Sequence, residues 1–148
     1  MNQFGQCCIG SEVFDLAISL WHVKNSFILA NFIMDNEQVD WYPGQVQFYF
    51  NHIVNFTNGQ AKHNLAYVRW YRRVNSTKTR YYFSVDDDDE TCNVKLWKSD
   101  FYSESHDCII LIHNILFWFI LSKFKISEHS NTVKYLAINP VNRKIHIR

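Results

Sequence analysis

The chain has 148 residues, of which 47% are hydrophobic and 17% aromatic, with only four glycines and two prolines. This composition excludes the collagen-like and disordered classes, and the length favours one domain with a substantial core. The formal net charge is +1, far from the strongly basic balance of a dedicated nucleic-acid binder.

The N-terminal segment predicts an intracellular protein with a β-hairpin. The opening MNQFGQCCIGSEVF lacks the charged and apolar regions of a signal peptide, so we expect a nuclear or cytoplasmic chain with reduced cysteines. Residues 18–23 and 26–34 are rich in β-forming side chains and are separated by a two-residue turn. We expect this hairpin, within residues 1–38, to pack on a barrel formed by residues 39–148.

Two segments with alternating hydrophobicity come next, at residues 45–54 and 65–74. Alternation of apolar and polar side chains is typical of a strand with one buried face. The inward residues are predicted to be Val46, Phe48, Phe50, Ala66, Val68 and Trp70. The dipeptide Asn58-Gly59 between the segments is typical of a hairpin turn.

The second segment, LAYVRWYRRV, begins a stretch that is both basic and aromatic. We expect Arg69 to stack on a ring or to pair with an acid, since it shares its face with tyrosines. Basic and aromatic side chains together can also neutralise phosphates and stack on bases. Nucleic-acid binding would then use Arg69, Arg72, Arg73, Lys78 and Arg80. The ordinary interpretation is that the arginines pair with the acidic run at residues 86–90.

The second half of the chain continues as strands. Residues 80–85 and 93–99 flank the acidic run and predict another hairpin. The apolar run at 108–124 is short for a membrane helix and polar in its middle, so it predicts two buried strands or a strand followed by a short helix. Ser127 or Ser130 is predicted to cap one helical turn before the terminal strands.

Catalytic and metal sites have weak support in the sequence. Zinc ligands are available in Cys92, His106, Cys108 and His113, but their spacing contains no C-x₂₋₄-C pair. The acidic run lacks the glycine and the distant glutamate of an EF-hand loop. No nucleophile elbow, catalytic triad signature or phosphate-binding loop is visible. We therefore expect no metal, no cofactor and no enzymatic activity.

Aromatic residues at strand ends suggest a different kind of site. Several converging rings can hold a methylated lysine through cation–π contacts. The candidates for such a partner-binding cage are Trp41, Tyr42, Tyr71, Tyr82 and Trp97. Trp41 and Tyr42 are favoured because they precede the Pro43-Gly44 turn signal. The ordinary interpretation of these rings is that they belong to the core.

The order of features from Gly44 onward resembles a bromo-adjacent homology domain: GQVQFYF, then LAYVRWYRR, an acid-rich loop, CNVKLWKS and the apolar CIILIHNI. The phrases YPGQVQFYF, LAYVRWY, ETCNVKLW and YLAINPVNRKIHI also resemble an uncharacterised domain of fungal proteins, some of them derived from mobile elements. The resemblance implies a chromatin-associated interaction role, with a protein or a histone-tail peptide as partner.

Together these patterns predict a mainly β fold. We expect a twisted, partly open antiparallel barrel of about seven or eight short strands with one or two short helices. The predicted function is a non-catalytic interaction module that binds a protein or peptide and no membrane. The alternative is a nucleic-acid-binding accessory domain that uses the basic aromatic strand.

Overall fold

The computed structural model describes residues 3–4, 6–9, 12–15, 26–33, 37–80, 82 and 94–140. Within these ranges the chain forms ten β-strands and one helical turn, α1 (Thr77–Arg80). The strands are β1 (Gln3–Phe4), β2 (Gln6–Ile9), β3 (Glu12–Asp15), β4 (Phe27–Ile33), β5 (Val39–Phe56), β6 (Gly59–Arg73), β7 (Lys95–Phe101), β8 (Ile109–Leu111), β9 (Ile115–Glu128) and β10 (Asn131–Pro140).

Six strands form a ring of antiparallel backbone pairings. Successive neighbours are β5, β4, β9, β10, β7 and β6, and the pairing of β5 with β6 closes the ring. β1 extends the sheet beside β5 and β8 extends it beside β6, while β2 and β3 pair separately. The predicted mainly β, partly open barrel is confirmed. Its principal strands are longer than expected, with 18 residues in β5, 15 in β6 and 14 in β9.

Two buried cores lie on opposite faces of β4, because neighbouring residues of a strand point to opposite sides. The first core contains Ile28, Ala30, Val46, Tyr49, Ala66, Val68, Trp70, Cys108, Ile110 and Ile115. The second core contains Leu29, Tyr71, Trp97, Phe119, Leu136 and Ile138. β4 and β6 contribute to both cores, and each is therefore buried on two faces where the cores meet.

In the first core, the side chains of Val68 and Trp70 on β6 lie directly against the backbone of β5 at Gly44. Gly44 pairs with Trp70 across the two strands. A Cβ atom at Gly44 would lie 2.5 Å from Cγ1 of Val68 and 2.6 Å from Cε3 of Trp70. Glycine is therefore required at this position by the packing of its neighbours.

The alternation predicted for residues 65–71 is confirmed, since Ala66, Val68 and Trp70 are all buried in the first core. The alternation predicted for residues 45–54 is confirmed at Val46 and Phe50, which are buried, but is wrong at Phe48 and Tyr49. Its register with β6 shifts between Val46 and Phe48, which is the signature of an extra residue in one strand.

At the register shift, Phe48 and Tyr49 exchange the inward and outward positions that the sequence predicted for them. Tyr49, predicted to face water, is 3% exposed in the first core, whereas Phe48 is only half-buried and stacks on Tyr67 with ring centroids 5.1 Å apart. Phe50 remains buried and contacts Phe48 at 5.7 Å between centroids. Both rings of this pair thus lie away from Val46.

The apolar run in the second half forms two strands, as one of the two predicted alternatives proposed. β8 and β9 are separated by a 3₁₀ turn at Ile112–Asn114. The helical turn predicted at Ser127 or Ser130 is wrong: β9 and β10 form a hairpin there, with His129 in the left-handed region at φ 53°. Ser127 instead forms a hydrogen bond with the hydroxyl of Thr132 across the hairpin.

Other predicted strands fall partly outside the described ranges. Residues 18–23, 83–85 and 141–148 are not described, whereas the strand predicted at 26–34 is observed as β4 and the one at 93–99 as β7. The boundary between residues 38 and 39 falls between β4 and β5, which are neighbours in the ring.

None of the helices found in the described part of the chain has the length and apolar character needed to cross a membrane.

Candidate functional site

Three of the five predicted cage residues come together beside the second core. The rings of Tyr42 and Trp97 meet edge to face with centroids 5.5 Å apart, and the Trp41 ring lies 6.4 Å from that of Trp97. Trp97 is buried on β7, while Trp41 and Tyr42 are half-buried on β5. Sequence alone grouped these residues by type, and the fold places them in one cluster.

Cations of the chain itself already cover this aromatic cluster. Lys95 Nζ lies 4.4 Å from the ring centroid of Trp41, and Arg73 Cζ lies 4.9 Å from that of Tyr42. Arg73 also pairs with the carboxylate of Asp40. Burial raises the pKa of Tyr42, and the nearby Arg73 charge partly opposes that increase. The cluster therefore binds internal cations, as a cage would bind an external one.

The other two predicted cage residues lie elsewhere. Tyr71 is buried in the second core and stacks on Phe101 with centroids 4.6 Å apart, and burial raises its pKa to about 12. Tyr82 is exposed, with its ring centroid 5.6 Å from that of Phe124. The ring contacts of Tyr71 and Tyr82 are thus with Phe101 on β7 and Phe124 on β9.

The arginines of β6 have acidic partners. Arg69 pairs with Glu104 at 2.9 Å and lies over the ring of Phe101, so the expected acid partner of Arg69 is confirmed. Arg72 pairs with Asp100 at 3.1 Å. The acidic run at residues 86–90, proposed as their partner, lies outside the described residues.

The remaining basic candidates are placed around α1. Arg80 donates two hydrogen bonds to the carbonyl oxygen of Val74, from Nε at 3.0 Å and from Nη2 at 2.6 Å. Lys78 is exposed. The five proposed nucleic-acid-binding residues therefore include three arginines with carboxylate partners and one arginine engaged with the backbone.

A groove that sequence reasoning missed lies beside β8. β8 ends the main sheet and, among the described residues, pairs only with β6. The groove has a volume of about 620 Å³. Its apolar lining includes Phe32 of β4, Val39 of β5, Leu65 of β6, and Ile109 and Leu111 of β8. Val39 is 63% and Ile109 48% exposed, so an apolar surface lies next to a free strand edge.

The groove is also lined by the carboxylate of Asp107 and the imidazole of His106, which contact each other at 2.9 Å. Their turn is held in place by Trp70, whose Nε1–H donates a 2.8 Å hydrogen bond to the carbonyl oxygen of Asp107. On the neighbouring part of β6, a hydrogen bond to the carboxylate of Glu104 raises the pKa of Tyr67. The groove therefore combines apolar contacts with a carboxylate at its rim.

A sequence signal for this edge existed in the alternation around Ile109. Cys108 and Ile110 are buried, whereas Ile109 between them is exposed. Ile109 is adjacent to other exposed apolar surface in the groove, including Val39, and a contiguous exposed apolar patch is typical of an interaction surface. The alternation of buried and exposed residues is not visible in the sequence, because the outward positions of the run at 108–124 are also apolar.

The residues considered for zinc do not assemble in the described structure. Cys108 is buried in the first core, while His106 and His113 are exposed, and Cys92 lies outside the described residues. Within the described ranges no group of three His, Cys, Asp or Glu side chains is placed to hold a metal ion.

Comparison of the chain with protein-family models, with curated proteins and with solved structures gave no match. The resemblance to bromo-adjacent homology domains and to a fungal domain therefore stays a prediction from sequence, and the site must be interpreted from its own geometry.

Proposed function

We propose that this chain is a non-catalytic interaction module that binds an extended, basic peptide segment of a partner protein in the groove beside β8. The observation that carries the proposal is the edge of β8 that pairs with no strand of the described residues, next to exposed Val39 and Ile109. A peptide that adds to a sheet edge gains main-chain hydrogen bonds, and its alternate side chains enter the adjoining pocket.

The charge of the groove supports a basic occupant. The carboxylate of Asp107 lines the groove, and neither Lys nor Arg lines it among the described side chains. Glu37, two residues before Val39, is also exposed. Opposite charges at the rim of an interface steer association and select the partner. The predicted chromatin setting makes a histone-tail peptide a suitable first ligand.

The test is a titration of fluorescent histone-tail peptides with wild-type protein and with Ile109→Lys. We expect the substitution to weaken binding about tenfold or more, since it places a cation in the apolar groove opposite a basic ligand. Val133→Lys is the matched control, because Val133 is also 48% exposed but does not line the groove. Equal losses in both variants would show that the peptide binds elsewhere.

Methylation of the peptide gives a second readout. Lys95 and Arg73 already lie on the rings of Trp41 and Tyr42, so we expect unmodified and trimethylated peptides to bind equally. A clear preference for the trimethylated peptide, abolished by Trp41→Ala, would place the binding site at the aromatic cluster instead.

Nucleic-acid binding has less support, because Arg69, Arg72 and Arg73 each pair with a carboxylate. A titration with duplex DNA at about 50 and 200 mM salt distinguishes the two functions, since phosphate contacts make affinity fall steeply over that range. Tight, salt-sensitive DNA binding without peptide binding would contradict the proposal.

A further inference from the structure

A second cavity, with a volume of about 600 Å³, shares no lining residue with the groove beside β8. All six strands of the ring contribute to it, so it lies at an opening of the ring. One lining residue from each strand defines this ring mouth: Phe27, Gln45, Tyr71, Phe101, Lys123 and Lys134. Its volume lies within the usual range for sites that bind small molecules, roughly 300 to 1,000 Å³.

The apolar wall of the ring mouth is continuous with the second core. Tyr71 and Phe101 stack there, and Phe27 contacts the buried ring of Phe119 at 5.7 Å between centroids. Leu136, also in the second core, lines the same cavity. A ligand in the ring mouth would therefore meet aromatic and aliphatic surface.

Three lysines border this apolar wall. Lys123 and Lys125 lie two residues apart on β9, on the face that also carries the buried Phe119, and Lys134 shares the face of buried Leu136 on β10. Lys125 and Lys134 are directly paired across the two strands.

This arrangement is unfavourable without a counter-ion. Like charges directly opposite each other on a sheet are destabilising. Among the described residues, the lining of the ring mouth contains neither Asp nor Glu. The salt bridges between described residues involve none of the three lysines. An anion placed between Lys125 and Lys134 would remove the repulsion.

We propose that the ring mouth binds a small organic anion, an acyl or aryl carboxylate. Its apolar body packs against Tyr71, Phe101 and Leu136, and its carboxylate is held by Lys125 and Lys134. This site is independent of the peptide groove, so either proposal can fail without the other.

The first test is a fluorescence titration with 1-anilinonaphthalene-8-sulfonate, followed by displacement with decanoate or with decanol. We expect saturable probe binding that decanoate reverses at least tenfold more effectively than decanol, because decanol has the same chain without the charge. No saturable binding, or equal displacement by both competitors, would overturn the proposal.

The second test locates the anion. The double variant Lys125→Gln/Lys134→Gln is expected to lower decanoate affinity at least tenfold while remaining folded, since it removes a like-charge pair. Lys62→Gln/Lys78→Gln is the matched control: both lysines are exposed, neither lines the ring mouth, and the net charge changes equally. Unchanged affinity in the first double variant would contradict the proposal.

A third variant keeps the test valid if the lysine variant does not fold. Ser99 lines the ring mouth and is exposed, so Ser99→Glu adds a carboxylate there and leaves the lysines in place. We expect Ser99→Glu to abolish decanoate binding, whereas Ser99→Gln retains it. Equal binding by the two Ser99 variants would show that the anion does not occupy this cavity.

Discussion

The two cores of this protein differ in what surrounds them. The first core is formed by residues of β4, β5, β6, β8 and the start of β9, and the side chains of Val68 and Trp70 leave no room for a Cβ atom at Gly44. The second core is bordered by cations, with Lys95 and Arg73 on its aromatic rim and the lysines of the ring mouth at its opening. The two cores therefore differ in the charge of the surfaces they border: Ile110 of the first core lines the groove beside β8, which no Lys or Arg of the described residues lines, whereas the second core borders lysines and an arginine.

The largest effect is expected from overpacking the first core. Gly44→Ala would place a methyl group 2.5 Å from Val68 Cγ1 and 2.6 Å from Trp70 Cε3. Because both neighbours are buried, the strands must separate, and we expect a loss of about 3 kcal/mol in the free energy of unfolding. Urea denaturation measures this change.

Gly59→Ala is the control for Gly44→Ala, because it adds the same methyl group in open space. Nothing lies within 4 Å of its Cβ position, but Gly59 has φ +146°, which strains an L-residue. We expect a loss of about 1 kcal/mol. A Gly44 variant no less stable than the Gly59 variant would show that the first core is loosely packed.

The sequence predicted this fold where strand alternation is regular. Ala66, Val68 and Trp70 are inward as expected, since nothing interrupts β6 there. The prediction failed in β5 at the register shift after Val46. A bulge leaves no clear mark in a run such as VQFYF, where apolar residues occupy both faces, so Tyr49 was misassigned.

The second prediction compares one buried tryptophan from each core. Trp70 in the first core donates a hydrogen bond from Nε1 to Asp107, whereas the buried Nε1 of Trp97 in the second core has no acceptor among the described residues. An unsatisfied buried N–H costs about 1–3 kcal/mol, so its removal offsets part of the lost packing. We expect Trp70→Phe to cost about 2 kcal/mol and Trp97→Phe at most about 1 kcal/mol.

Thermal and urea unfolding of the two tryptophan variants measure this difference. Equal destabilisation would remove the energetic distinction between the cores. A larger loss for Trp97→Phe would indicate that Trp97 Nε1 has an acceptor outside the described residues.

The candidate sites were less predictable than the fold. The sequence predicted Trp41, Tyr42 and Trp97 as strand-end rings, which is wrong, because β5 continues through Pro43 and Gly44 and Trp97 lies within β7. The cations on Trp41 and Tyr42 come from β7 and β6, so they depend on strand pairing that the sequence does not show. The ring-mouth lysines had a local signal, since Lys123 and Lys125 alternate along β9. Their pairing with Lys134 required the β9–β10 hairpin, where a helical turn was expected.

The third prediction concerns the response of the second core to alkaline pH. Burial raises the pKa of Tyr71 to about 12, against 10.0 for an exposed tyrosine. Since the unfolded chain loses this proton first, Tyr71 stabilises the fold below pH 10, and this contribution is lost as the pH rises toward 12. We expect about 2 kcal/mol of lost stability across this window. Tyr71→Phe should lose about 2 kcal/mol less stability than the wild type between pH 10 and pH 12, and an equal loss in both proteins would show that burial does not raise the pKa of Tyr71.

The smallest effect is expected at the exposed arginine of β6. Arg72 and Asp100 are 47% and 57% exposed, whereas Arg73 and Asp40 are 26% and 33% exposed. Arg72 lies 5.9 Å from the ring centroid of the exposed Tyr102, and Arg73 lies 4.9 Å from that of the half-buried Tyr42. Exposed ion pairs contribute little because water and salt screen them. Arg72→Ala should therefore change the free energy of unfolding by about 0.5 kcal/mol or less, and Arg73→Ala by at least about 1 kcal/mol.

Repeating both measurements at about 1 M salt separates the charge from the packing, because screening removes the exposed contribution and leaves the contact of Arg73 with Tyr42. If both variants lose stability equally at high salt, the cation on Tyr42 is not part of the second core.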